Sequence, residues 1–479
     1  MKLRSLIFII IVFFAGMLMC LLSEADKPFS IPVTMFIFSA AVILGLKTNI
    51  SRFSFFTKAM VVIYALPFVH CFEYIFNQSI IYDASIWGLH SNPYNANLEI
   101  VKRMAMNGCI GLLGLLSGYL IYTIMNTGIG RHGSIRIEYT TLKLNIFILL
   151  SALCVILMAL SAPSESLFLK GYTFSKSIID KLGIRFSAMN FLSFGYAGLL
   201  FVDTLYEVNI RKRKIKYRIF ATVILIVVIW FGFLRGDREW IGLLCGVLVL
   251  YILRGDAGSI NNFWGQLKIK IEKVKFFRKR ALLKCIIIFL IVFFASQILG
   301  SVRFKALPVA IREGRLKNVN FLSGTWSAVL LTSLSVTGDF YNGLMQPKMG
   351  RTYLDYLLSL PPGPVAQILD FERPIEKYRG PACDMRYGGG GIHVMVVPYM
   401  NFKSFGLFLV LLLYGLFIAY LEQKGSDDNA KSRFIYMCGF ILGPFWFWYG
   451  DMVFIRMVMI FYIVWWTYRI FVKRIYYNK

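Results

Sequence analysis

Charge is what this chain has least of. Asp, Glu, Lys and Arg together make up 16% of its 479 residues, against 58% hydrophobic residues and a mean hydropathy of +0.65. A soluble globular domain carries about a quarter charged residues, so that class is excluded. Acidic residues are scarcer still, with 25 Asp and Glu facing 52 Lys and Arg. The eight cysteines lie mostly inside apolar runs, and they form neither a disulfide framework nor a Cys-x-x-Cys metal motif. Four dispersed histidines offer no metal-ligand spacing, and no repeat of solenoid length is present.

What remains is a succession of apolar runs. A membrane-spanning helix needs about 17 to 25 such residues. Twelve candidates read as spans, at 6–22, 31–46, 59–76, 104–125, 144–160, 188–205, 219–234, 240–253, 285–300, 405–421, 434–449 and 452–468. The expected fold class is therefore all-α, a polytopic membrane protein of about 12 transmembrane helices. Its domains are spans 1–9 over residues 1–300, a large partly helical external loop over 301–404, and spans 10–12 over 405–479. The first segment has the basic start and apolar run of a signal peptide. It reads as an uncleaved span, because eleven more follow and no small-residue cleavage site closes it.

In a soluble protein, this net charge of +27 would point to nucleic acid. Here topology explains much of it. The basic loops 207–218 and 254–284 read as cytoplasmic, which puts both termini inside. Alternation of base and grease from Leu267 to Phe277 suits an anionic leaflet, so membrane lipids are expected partners and nucleic acid is not. Residues 301–404 break the pattern, because they carry 12 Lys and Arg against 7 carboxylates on the side that should be poor in base. A cation-rich surface beside a membrane suits an anionic partner, although long loops also tolerate charge.

Within that loop, Thr325 to Val336 is apolar but short, which favours a re-entrant or interfacial helix. Were it to cross, every later loop would change sides. Tyr353 to Leu358 reads as an amphipathic helix stopped by Pro361-Pro362-Gly363-Pro364. The run Gly388-Gly389-Gly390-Gly391 before Ile392-His393 permits close backbone approach, as a ligand-facing loop or as a hinge.

Two spans meet at Arg235-Gly236-Asp237-Arg238-Glu239. Guanidinium groups at membrane depth are costly and bind phosphate in bidentate fashion, so Arg235 and Arg238 are the leading anion-binding candidates, with Asp237 and Glu239 in support. The alternative is a self-neutralising ion cluster. Arg303, Arg312, Arg315, Arg351, Arg379 and Arg386 form a second, more scattered group in the loop. Arg456, one turn into the last span, needs an anionic partner that Asp451 at five residues does not ideally supply. His393 is the external histidine placed for proton transfer, with a structural role as the alternative. Asp370-Phe371-Glu372 is a weak metal pair beside Arg373, so no metal and no cofactor are expected.

The many-span layout, the late external loop, the arginines of Phe233 to Arg238, the glycine cluster before His393 and the segment Tyr399-Met400-Asn401-Phe402-Lys403-Ser404-Phe405-Gly406 together resemble the bacterial O-antigen or oligosaccharide repeat-unit polymerases of the Wzy type. An arginine followed by a glycine after ten residues, discussed for some members, occurs as Arg303…Gly314 and Arg379…Gly390. The resemblance implies a metal-independent glycosyltransferase at the periplasmic face of the bacterial inner membrane. Its substrate would be an undecaprenyl-pyrophosphate-linked oligosaccharide, with undecaprenyl pyrophosphate released and a chain-length regulator protein as a candidate partner. His393, Arg235 and Arg238 would be catalytic. Arg303, Arg351, Arg379, Arg386, Arg456, Gly390 and Tyr399 would join Arg235 and Arg238 in binding substrate. Many relatives carry a carboxylate near the position that Val397 occupies, and its absence turns attention to His393. An O-antigen ligase and a lipid-linked oligosaccharide flippase or transporter are the alternatives. The latter usually shows related halves, which this sequence lacks.

Overall fold

The structure is a computed structural model. It describes residues 3–24, 28–47, 54–69, 71, 98–126, 325–361, 392–426 and 430–451, with isolated positions in 283–313, 368–370 and 454–466. The chain divides into two compact units, Met1–Ser134 with Leu322–Arg456, and Ile135–Phe321 with Met457–Lys479. Every helix named below belongs to the first. These are α1 (Leu3–Glu24), α2 (Ile31–Lys47), α3 (Ser54–Ala65) running into a 3-10 turn at Leu66–Phe68, α4 (Leu98–Met125), α5 (Thr325–Tyr341), α6 (Arg351–Leu358), α7 (Val396–Ser426) and α8 (Ala430–Tyr449). The described residues are helical, apart from turns and one isolated bridge between Ile392 and Tyr449.

Among the described residues, three helices are long and apolar enough to cross a membrane, Leu6–Ser23, Leu98–Met125 and Val396–Lys424. Ile31–Lys47 and Phe56–Phe68 are apolar but shorter. α1 shows how such a helix is used. Ile7, Phe8, Ile11, Phe14, Leu18 and Leu21 are exposed, while Val12, Met19 and Cys20 are buried. That helical spacing gives one face to lipid and the other to the bundle. In the second unit, the described residues Leu283, Ile287, Leu290, Ile291 and Phe294 form a similar exposed stripe. The expected spans at 144–160, 188–205, 219–234 and 240–253 lie outside the described residues.

α4 is the central element of its unit. Its residues from Ile100 to Leu120 are almost all buried, and α1, α2, α5 and α7 pack against it. The seam with α7 is built on glycine. A Cβ added to Gly118 would lie 1.9 Å from the carbonyl oxygen of Leu412, and one added to Gly415 would lie 2.0 Å from that of Leu115. In lipid, where apolar side chains gain nothing from leaving their solvent, such backbone contact is a main source of helix association.

The seam also fixes direction. Asn107 meets Ser404 near one end, and Tyr119 meets Glu422 near the other, so α4 and α7 run parallel. Two parallel helices that both cross a membrane need an odd number of crossings between them. The five spans expected between 144 and 300 meet that condition only if α5 does not cross. α5 itself extends five residues beyond the apolar run, to Tyr341, and residues 332–339 are buried against its neighbours.

The far end of the seam is closed by Glu422. Its Oε2 accepts the Tyr119 hydroxyl at 2.6 Å and its Oε1 accepts the Thr57 amide in the first turn of α3 at 3.2 Å. A carboxylate at a helix N-terminus satisfies both an orphan amide and the helix dipole. Replacing Gly118 by valine forces the two backbones apart. The expected cost is about 1–3 kcal/mol from overpacking, read as a lower melting temperature and aggregation of the detergent-solubilised protein.

Candidate functional site

α7 is not continuous. Lys403 has φ 55° and ψ −155°, values at the edge of a region reserved largely for glycine, and the helix kinks there into two pieces, 396–402 and 404–426. The kink brings Phe402 close to Gly406, where an added Cβ would lie 1.8 Å from that of Phe402. It also ends one helix at residue 402, whose last carbonyls have no intrahelical partner. Two of them are taken up by the incoming loop, with Lys348 N donating to Met400 O at 3.1 Å and Met349 N donating to Asn401 O at 3.0 Å.

Asn401, fully buried, completes the junction. Its Oδ1 accepts the amides of Gly350 at 3.0 Å and Thr352 at 3.4 Å, and its Nδ2 donates to Val397 O at 2.8 Å. It thereby caps the start of α6, where Gly350 (φ 87°) provides no side-chain cap of its own.

Four cationic residues lie on the elements that meet at this junction. Arg103 of α4 lies over the Tyr341 ring at 5.0 Å, and Lys403 lies 6.0 Å from the Phe340 ring. Lys348 precedes α6, and Arg351 begins it with an exposed side chain. Tyr399 is buried, with its ring edge-on to Phe340 at 5.1 Å. Tyr353 stacks on Phe402 at 6.4 Å. The result is a rim of cations and aromatic faces at one end of the α4–α7 seam. Such a rim can hold an anion and stack against sugar rings.

His393 is placed differently from an open-loop histidine. It is completely buried, edge-on to Tyr64 at 4.7 Å and to Phe68 at 5.4 Å. Its Nε2 donates to Tyr64 O at 3.1 Å, and its Nδ1 accepts the Met395 amide at 3.4 Å. Both nitrogens are therefore engaged within the protein. The flanking backbone is equally tied, because Ile392 N and Val394 N donate to Trp448 O and Phe447 O, the last carbonyls of α8, at 2.9 Å each. Burial pushes the imidazole down to about 4, with the Tyr64 carbonyl opposing.

No family model, curated protein or solved structure matches this chain. The assignment of function therefore rests on residues and geometry. Of the residues proposed from sequence, the structure brings Arg351 and Tyr399 to one rim through Asn401, and sets His393 in the packing at the start of the same segment. Arg235, Asp237, Arg238, Glu239, Arg303, Arg379, Arg386, Gly390 and Arg456 lie outside the described residues. Val397 is buried against Tyr353 and Tyr356. Sequence reasoning passed over Arg103, Lys348, Lys403 and the capping role of Asn401. Asn401 and Lys403 had a local signal, their place in the Tyr399–Gly406 segment.

His393 sets a pH dependence of stability. Its folded pKa lies below the unfolded value near 6.5, so the unfolded chain holds the extra proton between those limits. The contribution is whole above pH 6.5 and is lost as pH falls toward 4, amounting to roughly 3 kcal/mol. His393→Gln keeps a donor toward Tyr64 O without the titration. The difference in melting temperature between the two proteins should therefore shrink or reverse on acidification from pH 7 to 4.5. Asn401→Ala should cost about 1–2 kcal/mol through loss of the cap, seen as faster proteolysis within 344–358.

Proposed function

We propose that the protein is a membrane glycosyltransferase that polymerises undecaprenyl-pyrophosphate-linked oligosaccharide repeat units at the outer face of the bacterial inner membrane. The observation that carries this reading is the rim of Arg103, Lys348, Arg351 and Lys403 among Phe340, Tyr341 and Tyr399, set at the end of apolar helices. A diphosphate on a polyprenol has to sit where lipid meets water, and cations fixed there offset the charge that develops on it as it leaves. Aromatic faces beside those cations suit the apolar faces of sugars. The segment Tyr399–Gly406, quoted for the family resemblance, is also the segment that folds into the junction under the rim.

On this reading, Arg351 and Lys403 hold a repeat unit by its diphosphate, and Arg235 and Arg238 are the arginines that the sequence offers for the donor pyrophosphate. The donor glycan passes from its carrier to a hydroxyl of the acceptor unit, and the carrier leaves as the free pyrophosphate. The cytoplasmic placement of both termini, the twelve crossings and recognition of a chain-length regulator belong to the same proposal.

A deletion strain should make lipopolysaccharide bearing a single repeat unit, and the wild-type chain should restore the ladder. Arg235→Ala and Arg238→Ala should each lower polymer formation by roughly 10²-fold at unchanged expression, and Arg351→Ala should raise the substrate concentration needed. Long chains persisting in the deletion strain would overturn the reading. Loss of all repeat units from lipid A core would instead identify a ligase.

A further inference from the structure

One buried carboxylate is left with capacity to spare. α8 ends at Gly450, whose left-handed conformation (φ 84°) turns the chain sharply and closes the helix by donating to Trp446 O at 3.1 Å. Asp451 follows at once and is 5% exposed. The turn lays its carboxylate back on α8, where Oδ1 accepts the Trp446 indole N–H at 2.6 Å. No hydrogen bond of good geometry reaches Oδ2 among the described residues. Tyr414 of α7 and Tyr353 of α6 are the titratable groups that face it, and no lysine, arginine or histidine among the described residues contributes to its electrostatics. Burial pushes the Asp451 carboxyl up to about 6, against hydrogen bonding from Trp446 and Tyr414.

The Tyr353 hydroxyl is also buried, and its neighbour in the cluster is the Tyr414 hydroxyl. A buried carboxylate oxygen that no hydrogen bond of good geometry reaches is costly, at about 1–3 kcal/mol, and it marks a place where a bound hydroxyl would offset that cost. Tyr353 links this cluster to the rim, because its half-buried ring stacks on the exposed Phe402 beside Lys403. A sugar seated on the Tyr353 and Phe402 faces, with its diphosphate on the rim cations, would extend a hydroxyl toward Asp451.

We infer that Asp451 is the proton acceptor for the acceptor-sugar hydroxyl, with Tyr353 and Tyr414 as hydroxyl-positioning residues, an assignment that rests on the polymerase reading above. The hydroxyl oxygen of the acceptor bonds to the anomeric carbon of the donor glycan. The bond from that carbon to the diphosphate oxygen breaks, and its electron pair leaves on the carrier pyrophosphate. The hydroxyl proton passes to Asp451 Oδ2 and from there to water. A carboxylate held in a dry site with a raised pKa is a stronger base than one in water and remains ionised at neutral pH. His393, with both nitrogens committed, does not compete for this role.

The test uses full-length protein in proteoliposomes with a polyprenyl-diphosphate-linked oligosaccharide, following polymer length and released carrier diphosphate. Asp451→Asn keeps the acceptor for Trp446 and removes the base. It should lower kcat by roughly 10²-fold or more, with KM and melting temperature little changed. The wild-type rate should fall on acidification through about pH 6, and that acid limb should be missing from the residual rate of Asp451→Asn. A polymerising wild type matched by Asp451→Asn, or an acid limb retained in it, overturns the role of Asp451 and leaves the polymerase reading standing. A wild type that makes no polymer sinks both. If Asp451→Asn misfolds, Tyr353→Phe decides. It should fold and lose roughly tenfold in rate, and an unchanged rate refutes the assignment.

Discussion

The rim depends on one kink in the backbone, at Lys403. Had α7 continued through Lys403 as a regular helix, the carbonyls of Met400 and Asn401 would have been consumed internally, and the loop from Leu344 to Gly350 would have had nothing to bind. The break costs of order 1–3 kcal/mol at a non-glycine residue. It is offset by two backbone hydrogen bonds, by three from the Asn401 side chain and by the burial of Tyr399 against Phe340. The same kink puts a lysine rather than a glycine at the most strained position. A glycine there would be easier on the backbone but would forfeit a cation beside Phe340.

Below the rim the physics changes from polar to steric. The α4–α7 seam works because Gly114, Gly118 and Gly415 let carbonyls approach to distances that any side chain would block. Several polar groups within it are satisfied locally, although Asn107 Nδ2 is buried without a hydrogen bond. Ser404 Oγ donates to Asn107 Oδ1 at 3.1 Å and meets Ser23 at 2.9 Å, and the Tyr64 hydroxyl donates to Gly108 O at 2.9 Å. A seam fixed at both ends, by Asn107 with Ser404 and by Glu422 with Tyr119, leaves little freedom for α7 to slide. The strained residue one position before Ser404 is therefore held in place by the contacts that follow it.

Much of this bundle is legible from composition and run length. The bounds of α1, α2 and α6 follow the apolar and amphipathic runs closely, because in lipid hydrophobic length and helix length are nearly the same quantity. Legibility failed where the chain uses helix for something other than crossing. α7 begins at Val396, nine residues before the apolar run suggested, because its first piece is a separate helix that no hydropathy window separates from a loop. α5 extends past Val336 because Thr337 and Asp339 are sheltered by neighbours distant in sequence. The position of His393 was unreadable for a related reason. Four preceding glycines suggest an open loop, whereas the decisive partners are the carbonyls at the end of α8, more than fifty residues later.

His393 and Asp451 show why burial alone does not identify a functional group. Both lie beside the end of α8, both are shielded from water, and burial pushes each toward its neutral form. They differ in what the packing leaves over. The two ring nitrogens of His393 meet one acceptor and one donor, so a proton added there breaks a contact the fold needs. Asp451 has one oxygen on the Trp446 indole and one that no hydrogen bond of good geometry reaches, so a proton arriving on Oδ2 leaves the Trp446 contact intact. A group can exchange protons with a substrate only if its fold does not depend on the lone pair it would use. By that criterion Asp451 fits the role better than His393, and it faces Tyr353, which packs on Val397.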